Sequence, residues 1–288
     1  MSIIQHHRTW PAALVAALAC IVSSSTGTVF AAGATGLPVI VRPCDVAGNQ
    51  LDGPGYFVVT AASGSTTQLY ALLGNKSHEK AVVSIVPVDG ATGIYGGVTA
   101  RLASQPRQLV GSWIHLSASK VMLDPDKGQV VSFTLQVPKH TKPGQYVGAL
   151  TAFVPARDTR RGTGFAFTVQ TRLADDVVVT VPGPQSSGFQ SAGVKTQRRT
   201  DGTYVIAHIK NTGTMMLKGS GYLWIWLHGQ RAAVLARPMS VDTTLPHTTA
   251  NYPLFLGMHP RPGRYAFKLK LWWNGGHSME NGNMRIWR

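Results

Sequence analysis

Apolar and polar residues alternate in short runs along this chain, and glycine, proline, asparagine or aspartate separates one run from the next. The clearest case is a stretch in which Val131, Phe133, Leu135 and Val137 alternate with serine, threonine and glutamine. A period of two residues is typical of a β-strand with one buried face, whereas an amphipathic helix repeats about every 3.6 residues. No long segment after Ala32 has the helical period. The pattern predicts an all-β protein.

The runs fall into two sets, which predict two domains. In the first set the predicted strands are 56–60, 66–73, 81–88, 129–137, 146–154, 164–172 and 177–181. In the second set they are 204–210, 222–228, 232–236, 251–255, 264–273 and 283–287. An immunoglobulin-like β-sandwich has about seven short strands. We therefore predict two such sandwiches in tandem, at residues 32–182 and 190–288, and a linker with few contacts at 183–189, where proline, glycine and serine accumulate.

The predicted strand that begins at Arg264 has one apolar and one basic face. Alternate residues from Tyr265 to Trp273 are large and apolar, which suits a core, while the residues between them include cations and one more tryptophan. An exposed aromatic ring beside cations suits a sugar that carries acidic groups, because the ring stacks and the cations pair with the anions. The candidate ligand-binding residues are Arg264, Lys268, Lys270 and Trp272.

The N-terminus predicts export. A basic segment around Arg8 precedes an apolar run of about a dozen residues, which is the pattern of a secretory signal peptide. The run is shorter than the roughly 20 residues of a membrane-spanning helix. Small residues place signal cleavage after Ala31, so residues 1–31 are the predicted signal peptide and Ala32 is the next best cleavage position. The mature protein is expected to be secreted or extracytoplasmic, with no membrane span.

The net charge indicates which partners to expect, and the cysteine count indicates whether a disulfide can form. The chain has 27 Lys and Arg against 12 Asp and Glu, which favours anionic partners. Export argues against nucleic acid and in favour of cell-wall polymers or other surface molecules. After removal of the signal peptide, Cys44 is the one remaining cysteine, so no internal disulfide is expected.

Catalytic and metal-binding motifs are absent from the sequence. There is no Gly-x-Ser-x-Gly, His-Glu-x-x-His or Cys-x-x-Cys motif, and the histidines have no ligand spacing. Asp175 and Asp176 are adjacent on a predicted strand, where neighbouring side chains face opposite sides, so we expect them to be solvated rather than to share a proton or a metal. We predict no enzymatic activity, no cofactor and no metal.

A weak internal repeat relates the two predicted sandwiches. Each contains a Pro-Gly turn followed two residues later by a tyrosine, which is Tyr146 in the first and Tyr265 in the second. In sandwiches of this class such a tyrosine forms a corner by bonding its hydroxyl to the backbone. A polar turn with an asparagine, Asn75 or Asn211, precedes each. Two related sandwiches explain the repeat.

The order of several short motifs resembles a known bacterial family. The motifs of the first domain are Gly55-Tyr56-Phe57, Leu72-Leu73-Gly74-Asn75-Lys76-Ser77, Val137-Pro138-Lys139 and Pro143-Gly144-Gln145-Tyr146-Val147-Gly148. Residues 52–182 are similar to the N-terminal, peptidoglycan-binding domain of the WxL-interacting surface proteins of Gram-positive bacteria. Residues 200–288 are similar to the immunoglobulin-like domain that follows it, through Ile209-Lys210-Asn211-Thr212-Gly213, Gly219–Gly221 and Pro262-Gly263-Arg264-Tyr265. The family's C-terminal transmembrane helix has no counterpart here.

The resemblance and the charge together predict a non-catalytic protein of the cell surface. Its expected partner is peptidoglycan or another anionic cell-wall glycan, or another surface protein. The first alternative is a two-domain chaperone of the pilus-assembly type, which uses an exposed strand edge to complete a partner's sheet and has cations in the cleft between its domains. A secreted hydrolase with an unfamiliar site is a more remote alternative.

Overall fold

The computed structural model describes residues 39–154 and 172–287, in which β-strands dominate. The predicted signal peptide at residues 1–31, with its cleavage site after Ala31, lies outside the described residues. So does the predicted strand at 164–172, apart from Arg172. In the described residues no helix is long and apolar enough to cross a membrane.

The first sandwich packs two antiparallel-rich sheets around a shared core. Its elements are β1 (Val39–Cys44), β2 (Phe57–Thr60), β3 (Thr66–Asn75), β4 (Ala81–Thr92), β5 (Val98–Ala100), α1 (Val110–Trp113), β6 (Ile114–Leu116), β7 (Lys120–Leu123), β8 (Gly128–Gln136), β9 (Gly144–Phe153) and β10 (Arg172–Val181). One sheet has the order β1-β3-β8-β6, and the other has the order β2-β10-β9-β4-β5 with β7 also paired to β4. Val131, Phe133 and Leu135 are 2%, 1% and 0% exposed, so the alternation along β8 does place one face in the core.

The second sandwich has seven strands in two sheets. They are β11 (Phe189–Arg199), β12 (Gly202–Asn211), β13 (Leu217–Leu227), β14 (Leu235–Thr244), β15 (Thr249–Gly257), β16 (Gly263–Trp273) and β17 (Gly276–Ile286). The sheet orders are β11-β12-β15 and β14-β13-β16-β17. Leu223, Ile225 and Leu269 are fully buried between these sheets. The predicted all-β fold of two immunoglobulin-like sandwiches is confirmed.

Several strands were not predicted, among them the edge strands β1 and β11. β1 contains Pro43, which argues against a central strand but is tolerated at a sheet edge because no partner needs its missing N–H. β11 is mostly polar, and Phe189 and Val194 are its buried residues. An edge strand with few buried side chains gives little periodicity to detect. β11 begins at Phe189, the last residue of the predicted linker.

The internal repeat has a structural counterpart in both sandwiches. The hydroxyl of Tyr146 donates to the carbonyl of Lys142 at 2.9 Å, and that of Tyr265 donates to the carbonyl of Arg261 at 2.5 Å. These are the two predicted tyrosine corners. Each corner fixes the chain just before a central strand, β9 or β16, and so holds the start of that strand in register.

Two buried asparagines close equivalent turns. Asn75, at the end of β3, donates from Nδ2 to the carbonyls of Glu79 and Leu123 at 2.7 and 3.1 Å. Asn211, at the end of β12, donates to the carbonyls of Met215 and Thr244 at 2.8 Å each. Both residues are 0% exposed. A fully buried amide must have such partners, because an unpaired one costs about 1–3 kcal/mol.

The turn between β4 and β5 contacts the second sandwich through its backbone. The amide of Gly97 donates to the carbonyl of Thr243 at 2.7 Å, and the amide of Asp242 donates to the carbonyl of Tyr95 at 3.0 Å. Gly96 lies between them with φ +92°, and a Cβ there would be 2.3 Å from the Asp242 carbonyl oxygen. Glycine is therefore needed at this position for the close approach.

An apolar cluster and side-chain bonds complete this junction. Val147 and Val178 of the first sandwich pack with Leu245 of the second. The Thr92 hydroxyl lies 2.6 Å from that of Thr248 and accepts from the amide of Leu245 at 2.9 Å.

The predicted linker, residues 183–189, forms hydrogen bonds with the second sandwich. The amide of Ser186 donates to Thr214 Oγ1 at 3.0 Å, and the amide of Thr214 donates back to the carbonyl of Ser186 at 3.0 Å. The expectation of few contacts is wrong. Whether residues 32–182 and 190–288 fold independently stays a prediction.

Candidate functional site

Strand β10 has a backbone edge that is only partly covered. Along its whole length it pairs with β9, from Arg172 opposite Phe153 to Val181 opposite Gly144. On its other side it pairs in parallel with β2, but only from residue 177 to residue 180. In the part of the chain that the structure describes, no strand pairs with that side of residues 173–175.

The direction of the β10 backbone groups follows from one hydrogen bond. The carbonyl of Thr180 accepts from the amide of Ala61, which directly follows β2, so the backbone groups of Thr180 point towards β2. Backbone direction alternates along a strand, and the β9–β10 register has no shift. The N–H and C=O groups of Arg172, Ala174 and Asp176 therefore point away from β9, towards the open side. The N–H and C=O of Ala174 and the N–H of Asp176 can pair with an added strand, whereas the Asp176 carbonyl already accepts from the amide of Phe57 in the parallel β10–β2 ladder.

Two adjacent carboxylates lie on this open stretch. Asp175 is 7% exposed, is on the face of β10 that carries the core residues Val177 and Val179, and has an Oδ2 atom without a hydrogen-bond partner. Asp176 lies on the opposite face and is half-buried. The expectation that both are solvated is wrong for Asp175, although the two do face opposite sides as the strand pattern required.

Burial dominates the ionisation of this pair. Burial, with a smaller contribution from the Asp176 carboxylate, raises the pKa of Asp175 to about 7. Burial also raises the pKa of Asp176. Desolvation disfavours the charged form of a carboxyl group, and the nearby negative charge adds to that effect. The open stretch of β10 thus contains a buried carboxyl group that stays protonated to a higher pH than an ordinary aspartate does.

The cation near the sandwich junction is already paired. Lys218 Nζ lies 3.0 Å from Asp242 Oδ1, at the end of β14 that contacts the β4–β5 turn. The chaperone alternative expected cations in the cleft between the domains. Beside the open edge of β10 lie the carboxylates of Asp175 and Asp176 and, at the start of the strand, the exposed cation Arg172, which packs over the Phe153 ring.

The predicted ligand-binding residues share the outer face of the second sandwich. Tyr265, Phe267, Leu269 and Leu271 of β16 are buried, so the alternating residues Arg264, Lys268, Lys270 and Trp272 lie on the opposite face. Trp272 is 41% exposed. The cross-strand neighbours of Lys270 and Lys268 are Tyr222 and Trp224, whose rings stack with centroids 4.2 Å apart. The predicted arrangement is present, and ligand binding by it stays a prediction.

Neither the free cysteine nor the possible metal ligands form a reactive site in the described residues. Cys44 is a buried free thiol, and burial, with the nearby Asp45 carboxylate, raises its pKa. A buried thiol with a raised pKa has little thiolate for reaction or metal binding. Within residues 39–154 and 172–287, no group of three or more His, Cys, Asp or Glu side chains is placed to hold a metal ion.

Sequence reasoning did not identify the open edge of β10. It divided this region into two strands, 164–172 and 177–181, because Asp175 and Asp176 interrupt the apolar pattern. In the structure Arg172–Val181 is one continuous strand.

No protein-family model matches the chain, and no curated protein matches its sequence. Its resemblance to WxL-interacting proteins therefore stays a prediction. Among solved structures it is similar to the YadV chaperone, at 11% identity and a TM-score of 0.40, covering 87% of this chain and 100% of that one. It is also similar to a chain of a chaperone–tip adhesin complex of CFA/I fimbriae biogenesis, at 10% identity and a TM-score of 0.41, covering 84% and 97%.

A third similar structure is the chaperone–tip adhesion subunit complex, CsuC–CsuE, from archaic chaperone-usher Csu pili of Acinetobacter baumannii. It matches at 11% identity and a TM-score of 0.40 over 80% of this chain and 94% of that one. The prediction of a cell-wall-binding protein is wrong, because these three similar structures are of chaperones, two of them in complexes of fimbria or pilus assembly. They are chaperones rather than enzymes as well.

Proposed function

We propose that this protein is an exported, non-catalytic assembly chaperone that binds an extended segment of a surface-protein subunit along the open edge of β10. The observation that carries the proposal is the outward backbone of β10 at Ala174, whose N–H and C=O have no strand partner in the described residues, together with the outward N–H of Asp176. Strand addition draws its affinity from main-chain hydrogen bonds, and donor-strand complementation of pilins by their chaperones is one known use of it.

The two docked sandwiches support this proposal. The junction is made by backbone bonds from Gly97 to Thr243 and from Asp242 to Tyr95, together with an apolar cluster. Such bonds hold the β4–β5 side of the first sandwich against the second and leave the open part of β10 at the other end of its strand. The predicted signal peptide places the protein where surface subunits are assembled. Strand addition requires no catalytic group, metal or cofactor.

Proline at Ala174 tests the proposal directly. The amide of Ala174 points to the open side, so Ala174→Pro removes a donor from the edge without removing a bond to β9. Ala174→Val is the matched control, because it keeps the amide and adds a side chain of similar bulk. The proline variant should lose a bound subunit that wild type and the valine variant retain on purification from the producing cells.

A photo-cross-linking amino acid in place of Ala174 identifies the subunit. The same group in place of the exposed Met122 on β7 is the positional control. We expect position 174 to cross-link to an exported protein within a segment that alternates apolar and polar residues. Equal co-purification by Ala174→Pro and Ala174→Val, when both variants have the wild-type thermal transition, would show that the edge is not the binding site.

A further inference from the structure

A cavity of about 470 Å³ lies at one end of the second sandwich. It is bounded by the end of β11, by the loop between β15 and β16, and by the residues that end β17. β12 runs from this end, at Gly202, to the junction end, at Asn211. Ten strand residues span about 30 Å, so the cavity is remote from the junction and from β10.

The walls of the cavity are cationic and aromatic. Arg198, His259 and Arg261 line it together with Trp287, and the hydroxyls of Thr196 and Thr203 add polar groups. No acidic residue is among the lining residues. Neither Arg198 nor Arg261 forms an ion pair with a carboxylate in the described part of the chain. Two guanidinium groups at one concave surface favour an anionic ligand.

The backbone that presents these cations is fixed. Arg261 stands between Pro260 and Pro262, and its carbonyl accepts the hydrogen bond of the Tyr265 corner. Arg198 is in the β11–β12 ladder, where it pairs with Thr203, another lining residue. A fixed site loses less conformational entropy when a ligand binds.

The aromatic wall is also held in place. The guanidinium carbon of Arg285 lies 4.0 Å from the centroid of the Trp287 ring, which is 68% exposed. This contact orients the ring at the cavity and adds a third arginine close to it. Met258, which is 65% exposed, is a further apolar lining residue. The site can therefore take an anionic group attached to an apolar or ring-containing body.

We propose that this cavity is a phosphate-binding site, in which Arg198 and Arg261 hold the phosphate oxygens and Trp287 contacts the group that carries the phosphate. Guanidinium groups match phosphate geometry with paired hydrogen bonds, and two of them can bind more than one phosphate oxygen at once. The source of the phosphate is either a soluble phosphate ester or the headgroup of an anionic lipid. This site is separate from the strand-addition edge and does not depend on it.

Pyrophosphate titration of the full chain by calorimetry tests the site. We expect saturable binding that weakens at least about tenfold in the Arg198→Gln, Arg261→Gln double variant. Arg237→Gln is the matched control, because Arg237 is an exposed arginine of the same sandwich that does not line the cavity. Acetate should bind more weakly than pyrophosphate.

Sedimentation with phosphatidylglycerol vesicles, with phosphatidylcholine vesicles as the reference, distinguishes the sources. Binding to phosphatidylglycerol that pyrophosphate displaces, and that Trp287→Ala weakens, identifies a lipid headgroup. Pyrophosphate binding without vesicle binding identifies a soluble phosphate compound. The proposal is overturned if pyrophosphate does not bind, or if Arg237→Gln weakens binding as much as the double variant, since the attraction would then come from overall charge.

Discussion

The two sandwiches share the same turns and tyrosine corners, but they differ in how their edge strands are paired and in net charge. Each closes a turn with a buried asparagine and fixes a strand with a tyrosine corner. The first leaves part of β10 without a strand partner among the described residues. In the second, the outer strands β11 and β17 approach each other, and the Thr196 hydroxyl donates to the carbonyl of Arg285 at 3.4 Å.

The two sandwiches also differ in net charge. Residues 32–182 contain 13 basic and 9 acidic residues, whereas residues 183–288 contain 13 basic and 3 acidic residues. Most of the excess positive charge belongs to the second sandwich, and Arg198 and Arg261 are the arginines that line its cavity. The two proposals follow this difference: the first sandwich would bind through the backbone of an open strand, and the second through cationic side chains.

Substitution of the buried asparagine in either turn is expected to change the free energy of unfolding more than the other substitutions below. Asn75→Ala and Asn211→Ala should each lower the free energy of unfolding by about 3 kcal/mol, because each leaves buried carbonyl and amide groups without partners. Urea denaturation measures this change. Asn281→Ala, at an exposed position of β17, is the control and should change it by less than about 0.5 kcal/mol. Clearly unequal losses at Asn75 and Asn211 would contradict the equivalence of the two turns.

The buried Asp175 carboxyl group is expected to make the stability of the protein depend on pH. The folded-state pKa of Asp175 is raised to about 7, so the folded protein holds a proton that the unfolded chain has released. Its contribution to stability is therefore present at low pH and is lost as the pH rises from about 4 to about 7. Asp175→Asn should stabilise the protein by roughly 2–3 kcal/mol at pH 8 and change it little at pH 4.

Urea midpoints measured across this pH range check the Asp175 prediction. Asp52→Asn is the control, because it makes the same charge change at an exposed position. If the stabilisation by Asp175→Asn is the same at low and high pH, ionisation of this carboxyl group is not its cause.

Substitution of Gly96 at the junction between the sandwiches is expected to cause the smallest loss of stability. Gly96→Ala adds a Cβ against the backbone of Asp242, at a residue with φ +92°. Gly229→Ala is the matched control, because Gly229 has φ +80° and no atom within 4 Å of the added Cβ. Both should lose about 1 kcal/mol through backbone strain, and Gly96→Ala about 1 kcal/mol more through the weakened junction. Calorimetry should show a broader or divided transition for Gly96→Ala alone, and identical profiles for the two variants would contradict a close backbone junction.

Strands with strong alternation could be predicted, and those with weak patterns could not. β8 and β16 were predicted because each buries every second side chain. β1 and β11 escaped prediction, because β1 is short and contains Pro43, and β11 buries few side chains. The basic face of β16 was predicted for the same reason as its core face. The cavity at Arg198 and Arg261 was not, because these residues are more than 60 positions apart and meet only through the packing of three loops or strand ends.

The sequence by itself determined the all-β class, the two sandwiches, their tyrosine corners and asparagine turns, and the excess of positive charge. These follow from local periods, local turn chemistry and composition, which need no knowledge of distant contacts. Only the tertiary structure decided which strand edge stays open, that Asp175 is buried, and how Gly96 meets Asp242. Each of these depends on residues far apart in the chain, and a hydrogen-bond partner or a buried surface exists only when those residues are brought together.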